Sequence, residues 1–169
     1  MQEIRHIVNF SGGKDSTAML IRMLEENMRV DEIIFCKVMA TKEIGAELPE
    51  MYEYIEKIRR YIKLRYNKEI TILEQDKTFE DYFYTKKVRG KRTGEVYGFP
   101  SVLHSWCNTR LKVNVINNYL KKKGKYISYI GIAVDEPKRL KRLKENECSM
   151  LEKWNMTEQD CLELKKKEI

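Results

Sequence analysis

Short apolar segments alternate with longer amphipathic segments along the chain. Residues 4–10 are rich in Ile and Val and run into Ser11-Gly12-Gly13, a pattern that predicts a buried strand followed by a sharp turn. In residues 17–28 the apolar side chains recur at helical spacing, which predicts an amphipathic helix. A strand, a glycine turn and a helix in this order predict the first unit of an α/β fold.

The same alternation continues to the end of the chain. A helix is predicted to begin at Pro49, because proline favours the first helical turn and apolar residues follow along one face. The stretch Thr157-Glu158-Gln159-Asp160 is similar to a helix-capping box, which predicts a last helix running to the C-terminus. The remaining predicted elements are strands at 31–38, 69–74 and 126–134, a short helix at 79–84, and an amphipathic helix that includes Leu111 and Tyr119 and stops at Gly124.

These elements define the predicted fold class and the predicted ligand site. Alternating strands and helices in 169 residues predict a single α/β domain, residues 1–169, with a mostly parallel sheet and helices on both faces. Ligands of such sheets bind beyond the carboxyl ends of the strands, where the strand order reverses. The turns after Phe10 and after Val134 are therefore the two candidate positions.

Positive charge is concentrated in one part of the sequence. The net charge is +7, but residues 86–125 contain eleven Lys or Arg and one acidic residue, Glu95, which gives this block a charge of +10. Its first part, about residues 86–110, lacks periodicity and is predicted to be a basic excursion from the fold. The block predicts an anionic partner, either a nucleotide or a nucleic acid such as tRNA or DNA, although Lys121-Lys122-Lys123 also fits a solvated helix end.

The sequence contains neither the pattern of a membrane span nor that of a disulfide framework. The longest apolar run is residues 129–134, and the first residues lack the apolar stretch of a signal peptide. The four cysteines, Cys36, Cys107, Cys148 and Cys161, are scattered without a CxxC pair. We therefore expect a cytoplasmic protein with free thiols and no membrane partner.

The loop Ser11-Gly12-Gly13-Lys14-Asp15-Ser16 carries the candidate chemistry. Backbone N–H groups at the start of a helix bind anions, and glycines let the chain approach phosphate oxygens closely. Ser11 and Ser16 offer hydroxyl groups, and Lys14 offers a cation that can neutralise charge on a departing pyrophosphate. The loop matches neither a Walker A motif nor GxGxxG, and the alternative is an ordinary glycine turn with a polar helix cap.

This loop resembles the PP-loop signature of the superfamily that contains ATP pyrophosphatases and phosphoadenylyl-sulfate (PAPS) reductases. Three further segments are similar to stretches of the PAPS reductase-like branch, namely residues 47–52, 106–112 and 131–139. The resemblance covers about residues 4–165 and implies a Rossmann-like fold of the adenine nucleotide alpha hydrolase type. It also implies a small-molecule nucleotide substrate, either ATP with Mg²⁺ or a PAPS-like adenine nucleotide.

The resemblance also implies roles for individual residues. The phosphates would lie on residues 11–16, with adenine near Phe10 and residues 36–38. Asp135 and Glu136 would hold Mg²⁺ or orient Arg139, and Asp135 equally fits a helix N-cap. The residues expected to be catalytic are Lys14, Asp15, Arg110 and Arg139. The residues expected to bind the nucleotide are Phe10, Ser11, Gly12, Gly13, Lys14, Asp15, Ser16, Lys112, Asp135 and Glu136. For Arg110 and Lys112, the alternative is a solvated position at the start of an exposed helix.

The chain departs from the family pattern in two places. Residues 36–41 stand where family members often carry Asp-Thr-Gly after the second strand. Glu147-Cys148 continues as Ser149-Met150-Leu151 instead of the Glu-Cys-Gly-[Ile/Leu]-His segment of sulfonucleotide reductases. Cys148 is therefore expected to be a small, partly buried residue. Either the cysteine-bearing tail of longer relatives is lost, or its role lies on another protein. The expected assembly is a homodimer or a complex with a partner protein.

Three functions follow from these observations. The first is an enzyme that cleaves ATP between the α and β phosphates, adenylylates an acceptor and releases pyrophosphate. The second is a PAPS reductase-like enzyme acting on a sulfonucleotide, and the third is a non-catalytic module that binds a nucleotide or a nucleic acid through residues 86–125. We prefer the first, and we expect the basic block to serve one nucleotide, because Arg110 and Lys112 lie in a stretch that resembles the family.

Overall fold

A five-stranded sheet organises the computed structural model, which describes residues 3–101 and 105–168. Its strands are β1 (Arg5–Asn9), β2 (Glu32–Cys36), β3 (Ile70–Leu73), β4 (Tyr126–Ile130) and β5 (Glu147–Cys148). In space they follow the order β3-β2-β1-β4-β5. β1 pairs in parallel with β2 and with β4, and β4 pairs in parallel with β5. The prediction of a parallel α/β sheet is confirmed.

Helices connect these strands. They are α1 (Lys14–Glu25), α2 (Pro49–Tyr66), α3 (Phe79–Tyr84), α4 (Trp106–Asn108), α5 (Asn114–Leu120), α6 (Pro137–Leu140), α7 (Met150–Lys153) and α8 (Glu158–Glu168). β2 and β4 lie on opposite sides of β1 in the sheet. Because crossovers between parallel strands are as a rule right-handed, the connections that lead to β2 and to β4 are expected on opposite faces of the sheet. None of the helices in the described ranges is both long and apolar enough to cross a membrane.

Contacts divide the chain into two compact units. The first unit comprises Met1–Phe35, Glu50–Thr71 and Lys123–Ile169, and the second comprises Cys36–Pro49 and Ile72–Lys122. The prediction of one domain over residues 1–169 stays a prediction.

The core of the first unit has the residues that the hydrophobic pattern predicts. α2 buries Ile55, Ile58 and Ile62 along one face, as expected for a helix that begins at Pro49. α1 buries most of its length, including Ala18, Met19, Leu20, Met23 and Leu24. These side chains pack with Val8 and Phe10 in one hydrophobic cluster, whose burial stabilises the fold by removing apolar surface from water.

α1 begins earlier than the pattern of residues 17–28 predicts. Its first residue is Lys14 and it ends at Glu25, because Asn27 adopts a left-handed φ of 50° and the Met28 N–H bonds to the Met23 carbonyl at 2.9 Å. Apolar periodicity identifies only the buried part of a helix, and the first turn here is polar. Three residues of the candidate loop, Lys14, Asp15 and Ser16, therefore belong to the helix.

The second unit contains the predicted basic excursion. α3 occupies the predicted range and is capped by a reciprocal pair of bonds between Thr78 and Asp81. Residues 86 and 96 form an isolated antiparallel bridge. Residues 102–104 of the excursion lie outside the described residues.

The helix predicted around Leu111 and Tyr119 is longer than expected. A π-helical turn, Thr109–Val113, joins α4 to α5, and a 3₁₀ turn, Lys121–Lys123, follows. The helical stretch therefore runs from Trp106 to Lys123, and Gly124 ends it with a φ of 77°. The sequence did not predict β5, α6 or α7, because segments of two to four residues show no usable periodicity.

Candidate functional site

The loop between β1 and α1 lies where the strand order reverses. β1 connects through α1 to β2 on one side of the sheet, whereas β4, its neighbour on the other side, leads away to β5. The carboxyl ends of β1 and β4 therefore border a crevice of the kind that holds ligands in open α/β sheets. Residues 10–16 follow β1, as the sequence predicts. β4 ends at Ile130, four residues before the predicted end at Val134, so residues 131–135 form the segment after it.

The two glycines of the loop have different roles. Gly12 has a φ of +80°, so its backbone conformation favours glycine, and a Cβ there would also crowd Ile55 Cγ1 at 3.0 Å. Gly13 has ordinary extended angles, φ −74° and ψ 163°. A Cβ on Gly13 would meet only Ser11 Oγ, at 3.5 Å. The fold therefore does not require a glycine at position 13. The absence of a side chain there leaves open space at the N-terminus of α1.

Hydroxyl groups stabilise the shape of the loop. The Ser11 N–H donates to Ser16 Oγ at 3.1 Å, and the two serine hydroxyls lie 2.9 Å apart. The hydroxyls of Ser16 and Thr17 donate to the Gly13 carbonyl at 3.1 and 2.8 Å. Gly13 is the N-cap of α1 and provides no side-chain acceptor, so the N–H groups of the first turn are available to an anion.

Lys14 is held by two carboxylates. Its Nζ lies 3.0 Å from Asp15 Oδ1 and 2.6 Å from Glu158 Oε2, and the side chain is 32% exposed. Burial by itself would lower the pKa of Lys14, but the hydrogen bonds to Glu158 and Asp15 outweigh it and raise the pKa above its ordinary value. The side chain therefore remains a cation at neutral and mildly alkaline pH.

Sequence reasoning missed two residues of this site, Glu158 and Gly131. Glu158 is 144 positions from Lys14 in the chain, and only the position of α8 brings the two together. Gly131 follows β4, and a Cβ on it would lie 2.6 Å from both N and Cα of Ser16. This glycine lets the chain after β4 approach the first turn of α1. It lies inside the strand predicted at 126–134, and a glycine within an apolar strand pattern was the available signal of a close backbone approach.

The acidic residues after β4 are already engaged. Both carboxylate oxygens of Asp135 accept from the Glu158 N–H, at 3.2 and 3.3 Å, so Asp135 helps to cap α8. Both Glu136 carboxylate oxygens accept from Arg139 Nη1, at 2.5 and 2.7 Å. Among residues 3–101 and 105–168, no cluster of three or more His, Cys, Asp or Glu side chains has the arrangement of a metal site. Binding of Mg²⁺ at Asp135 and Glu136 stays a prediction.

The other predicted site residues have partners of their own. Phe10 is 2% exposed and contacts Phe35, so it is part of the core, and its predicted contact with adenine stays a prediction. Arg110 and Lys112 lie in the π-helical turn of the second unit. Arg110 donates to the Tyr97 hydroxyl, and Lys112 Nζ lies 3.7 Å from Glu47 Oε1. Their predicted binding to phosphate or sulfate also stays a prediction.

Burial disfavours the thiolate form of three of the four cysteines. It raises the pKa of Cys36 to about 11 and that of Cys161 to about 12, and it raises the pKa of Cys148 as well. All four cysteines are free. Because the thiolate is the reactive form, burial lowers the reactivity of Cys36, Cys148 and Cys161.

Comparison with known proteins gives a similar curated protein and a solved structure of similar fold. The "Uncharacterized nin region protein ORF290" of Escherichia phage lambda is 28% identical over 154 residues, which are 80% of this chain and 50% of that protein. The solved structure of "U34-tRNA thiolase NcsA from Methanococcus maripaludis with its 4Fe-4S cluster" superposes with a TM-score of 0.57 at 19% identity. It covers 98% of this chain and 56% of the thiolase chain, and at this identity the likeness concerns the fold. The chain thus spans about half the length of both proteins.

The described residues of this chain contain no group of three or more cysteine, histidine or acidic side chains arranged to hold a metal ion or cluster. The family model called "Phosphoadenosine phosphosulfate reductase domain" matches residues 5–158. This match extends from the first residue of β1 to the first residue of α8 and includes the loop, the strand switch and the segment after β4. The chain therefore belongs to the phosphoadenosine phosphosulfate reductase domain family, within the PP-loop superfamily.

Proposed function

We propose that this chain binds an adenine nucleotide with its phosphates on residues 11–16 and cleaves it between the α and β phosphates, adenylylating an acceptor. The observation that carries this proposal is the uncapped N-terminus of α1 at the crevice between β1 and β4. Its N–H groups and the helix dipole favour a phosphate there. The adenine nucleotide in the family's name supports the choice of ligand.

The proposed reaction is a displacement at the α phosphorus. A lone pair of the acceptor forms the new bond while the bond from phosphorus to the bridging oxygen breaks. Pyrophosphate leaves with that electron pair, and the acceptor's proton passes to water. Negative charge therefore grows on the leaving group, and we assign its stabilisation to Lys14. Asp15 and Glu158, which hold the Lys14 ammonium, act as positioning residues.

Further residues complete the proposed site. Arg139, oriented by Glu136, would contact a phosphate, and Arg110 and Lys112 would add positive charge. Mg²⁺, when bound with ATP, supplies charge neutralisation of the phosphates. It is usually held by those phosphates, waters and one or two carboxylates, for which Asp135 is the candidate.

A sulfonucleotide such as PAPS is the second candidate substrate. The family match over residues 5–158 favours it, because the family takes its name from a reductase of this nucleotide. Reduction needs a thiolate to attack the sulfur. The raised thiol pKa values of Cys36, Cys148 and Cys161 argue against that step at these three cysteines.

Thermal unfolding with a panel of nucleotides tests the ligand. ATP, PAPS, adenylyl sulfate and AMP are compared with and without Mg²⁺. At a hundredfold excess over Kd, a ligand stabilises the native state by about 2.7 kcal/mol, or about 5–10 °C for a chain of this size. We expect that shift with ATP, together with release of pyrophosphate once an acceptor is supplied. A shift with PAPS alone would favour the second candidate, and the absence of any shift would contradict nucleotide binding.

A Gly13→Val variant locates the nucleotide on the loop. The new side chain fits the backbone angles of residue 13 but occupies the space above the helix start. We expect the Tm of the free protein to be retained and the ATP-induced shift to be lost. An ATP-induced shift that survives this substitution would place the nucleotide elsewhere.

A Lys14→Met variant tests the assigned chemistry. If Lys14 stabilises charge that develops only in the transition state, kcat should fall by about 10²–10³-fold while the Kd for ATP changes little. The matched control is Glu158→Gln, which removes the partner's charge but keeps the ammonium. It should lower kcat far less. An unchanged kcat with a raised KM in Lys14→Met would limit Lys14 to ground-state binding.

A further inference from the structure

The second unit carries an open cavity of about 740 Å³ whose lining combines two kinds of side chain. Four cations come from residues 87–92: Lys87, Arg89, Lys91 and Arg92. Three aromatic rings also line the cavity, Tyr97, Phe99 and Trp106, and Lys87 Nζ lies 5.8 Å from the centre of the Tyr97 ring. Among the described residues no Asp or Glu lines the cavity. It is therefore suited to a ligand that combines negative charge with flat apolar groups.

The four cations of residues 87–92 belong to a hairpin-like segment, and those at its tip extend into solvent. The Lys87 N–H bonds to the Glu95 carbonyl and the Gly94 N–H to the Lys87 carbonyl, both at 2.8 Å. Arg89, Lys91 and Arg92 at the tip are exposed. Glu95 approaches Lys87 and Arg92 only to 3.9 and 4.0 Å, and exposed ion pairs of this kind contribute little. The positive charge of the hairpin is therefore only weakly neutralised by Glu95 and can attract an anionic partner.

The aromatic rings of the cavity are held in place by packing against other rings. Trp106 stacks on Phe79 with ring centroids 5.1 Å apart, and its Nε1 donates to the Gly98 carbonyl at 3.2 Å. Phe99 packs edge-on against Phe83 at 4.9 Å, yet 80% of its surface is exposed. An exposed phenylalanine beside an anchored tryptophan provides two apolar faces for a flat group.

Arg110 also lines the cavity and places a cation against two aromatic rings. Its guanidinium lies 4.7 Å from the centre of the Tyr97 ring and 5.4 Å from that of the Tyr82 ring, and it donates to the Tyr97 hydroxyl. These contacts fix a planar cation next to the rings without neutralising it.

We propose that this cavity binds single-stranded nucleic acid, with a base stacked on Phe99 and Trp106 and the phosphates on the hairpin cations. Open grooves with aromatic platforms and tracking positive charge are typical of single-strand binding. The bases of a duplex are already stacked and cannot use the rings. Pockets for small ligands enclose most of the ligand surface, whereas the tip cations and Phe99 are exposed. The inference does not use residues 11–16, and the one residue it shares with the proposed nucleotide site is Arg110.

Fluorescence anisotropy with the full chain tests the stacking. The probes are a labelled 12-nucleotide RNA of mixed sequence, the DNA of the same sequence, and the DNA duplex. We expect the single strands to bind more tightly than the duplex, and Phe99→Ala to raise their Kd by about 10-fold or more. Tyr84→Ala, which removes another exposed aromatic that does not line the cavity, is the matched control and should leave Kd unchanged. Equal effects of the two variants, with Tm retained in both, or preference for the duplex would overturn the proposal.

Charge variants test the hairpin. Removing two cations with Arg89→Gln/Lys91→Gln should make the slope of log K against log salt less steep by about 1.4, since each phosphate contact contributes about 0.7 for single strands. Lys121→Gln/Lys122→Gln removes two charges from the same basic block but not from the cavity, and it should change the slope less. An equal change of slope in both variants would show that the cations of the cavity contribute no more than other cations of the basic block. That result would overturn the proposal.

Two competitors exclude other occupants. Unlabelled ATP should not displace the oligonucleotide, and poly-glutamate should displace it only through general charge competition, with no dependence on Phe99. Displacement by ATP that Phe99→Ala weakens would make the cavity a mononucleotide site and overturn the proposal. The ATP-induced thermal shift should be intact in Phe99→Ala, so that failure at the cavity is distinguishable from failure at residues 11–16.

Discussion

At the scale of single residues, the candidate loop depends on a glycine outside it. Gly131 follows β4, and a Cβ there would overlap backbone atoms of Ser16, which no side-chain rotation can relieve. The backbone after β4 therefore packs directly against the first turn of α1. Any side chain at position 131 must push these two segments apart.

We predict that Gly131→Ala destabilises the protein. Overpacking of this kind costs about 1–3 kcal/mol, which corresponds to a fall in Tm of several degrees for a chain of this length. Gly13→Ala is the matched control, because residue 13 has ordinary angles and its Cβ would meet only Ser11 Oγ at 3.5 Å. Thermal unfolding of both variants is the measurement, and equal Tm values would contradict the close approach.

At the scale of elements, α8 connects the two sides of the candidate site. Its first residue, Glu158, donates its N–H to Asp135 after β4 and offers its carboxylate to Lys14 in α1. Cys161 in α8 is fully buried in the core cluster that also contains α1 residues. The start of α8 therefore fixes the position of the Lys14 ammonium.

We predict that the cap of α8 makes stability depend on acidic pH. The Thr157 hydroxyl and N–H donate to Asp160, and these bonds hold the pKa of Asp160 below its ordinary 3.8. A lowered native pKa gives stability that is present above about pH 4 and is lost as the pH falls through the native value. Asp160→Asn should therefore have a lower Tm than the natural sequence at pH 7.

The difference in Tm between the two proteins should shrink below pH 4, as protonation removes the charge of Asp160. Glu163→Gln, a change of the same kind in the exposed part of α8, serves as the control and should show little of this pH dependence. A Tm difference that stays constant from pH 7 to pH 2 would contradict the assigned role of the Asp160 charge.

At the scale of the whole molecule, the chain combines a PP-loop fold with buried thiols. The family match covers residues 5–158, and the sheet order and loop geometry agree with it. Cys148, in β5, is part-buried, and burial raises its pKa. The chain thus has the fold of a family named for a reductase. In the segment Glu147-Cys148, however, the pKa of the thiol is raised and not lowered, which disfavours the thiolate.

We predict that Cys148 is not a redox nucleophile. Sulfite release from PAPS in the presence of a reducing thiol should be absent, and Cys148→Ser should behave like the natural sequence in nucleotide binding. Cys107→Ser, at a cysteine that is also part-buried, is the control for the loss of a thiol. Thiol-dependent sulfite release that is lost only in Cys148→Ser would contradict this prediction and favour the sulfonucleotide candidate.

Local sequence patterns determined most of the architecture. Ile and Val next to Gly-Gly marked β1 and its turn, the proline and the isoleucine stripe marked α2, and Thr157 with Asp160 marked the start of α8. These features act between residues close in sequence, through periodic burial, dihedral preference and capping bonds. They are readable without knowledge of distant neighbours, and the alternation of strands and helices then restricts the sheet to a parallel one.

Only the tertiary structure decided what each site residue touches. Lys14 meets Glu158, Asp135 caps α8, Gly131 lies against Ser16, and Arg110 stacks on Tyr97. The first three contacts join segments more than 20 residues apart, so their geometry depends on the packing of whole elements. The π-helical turn that contains Arg110 likewise leaves no mark in the hydrophobic pattern. Sequence therefore determined the position of the candidate loop between β1 and α1, and packing decided which charges face each other there.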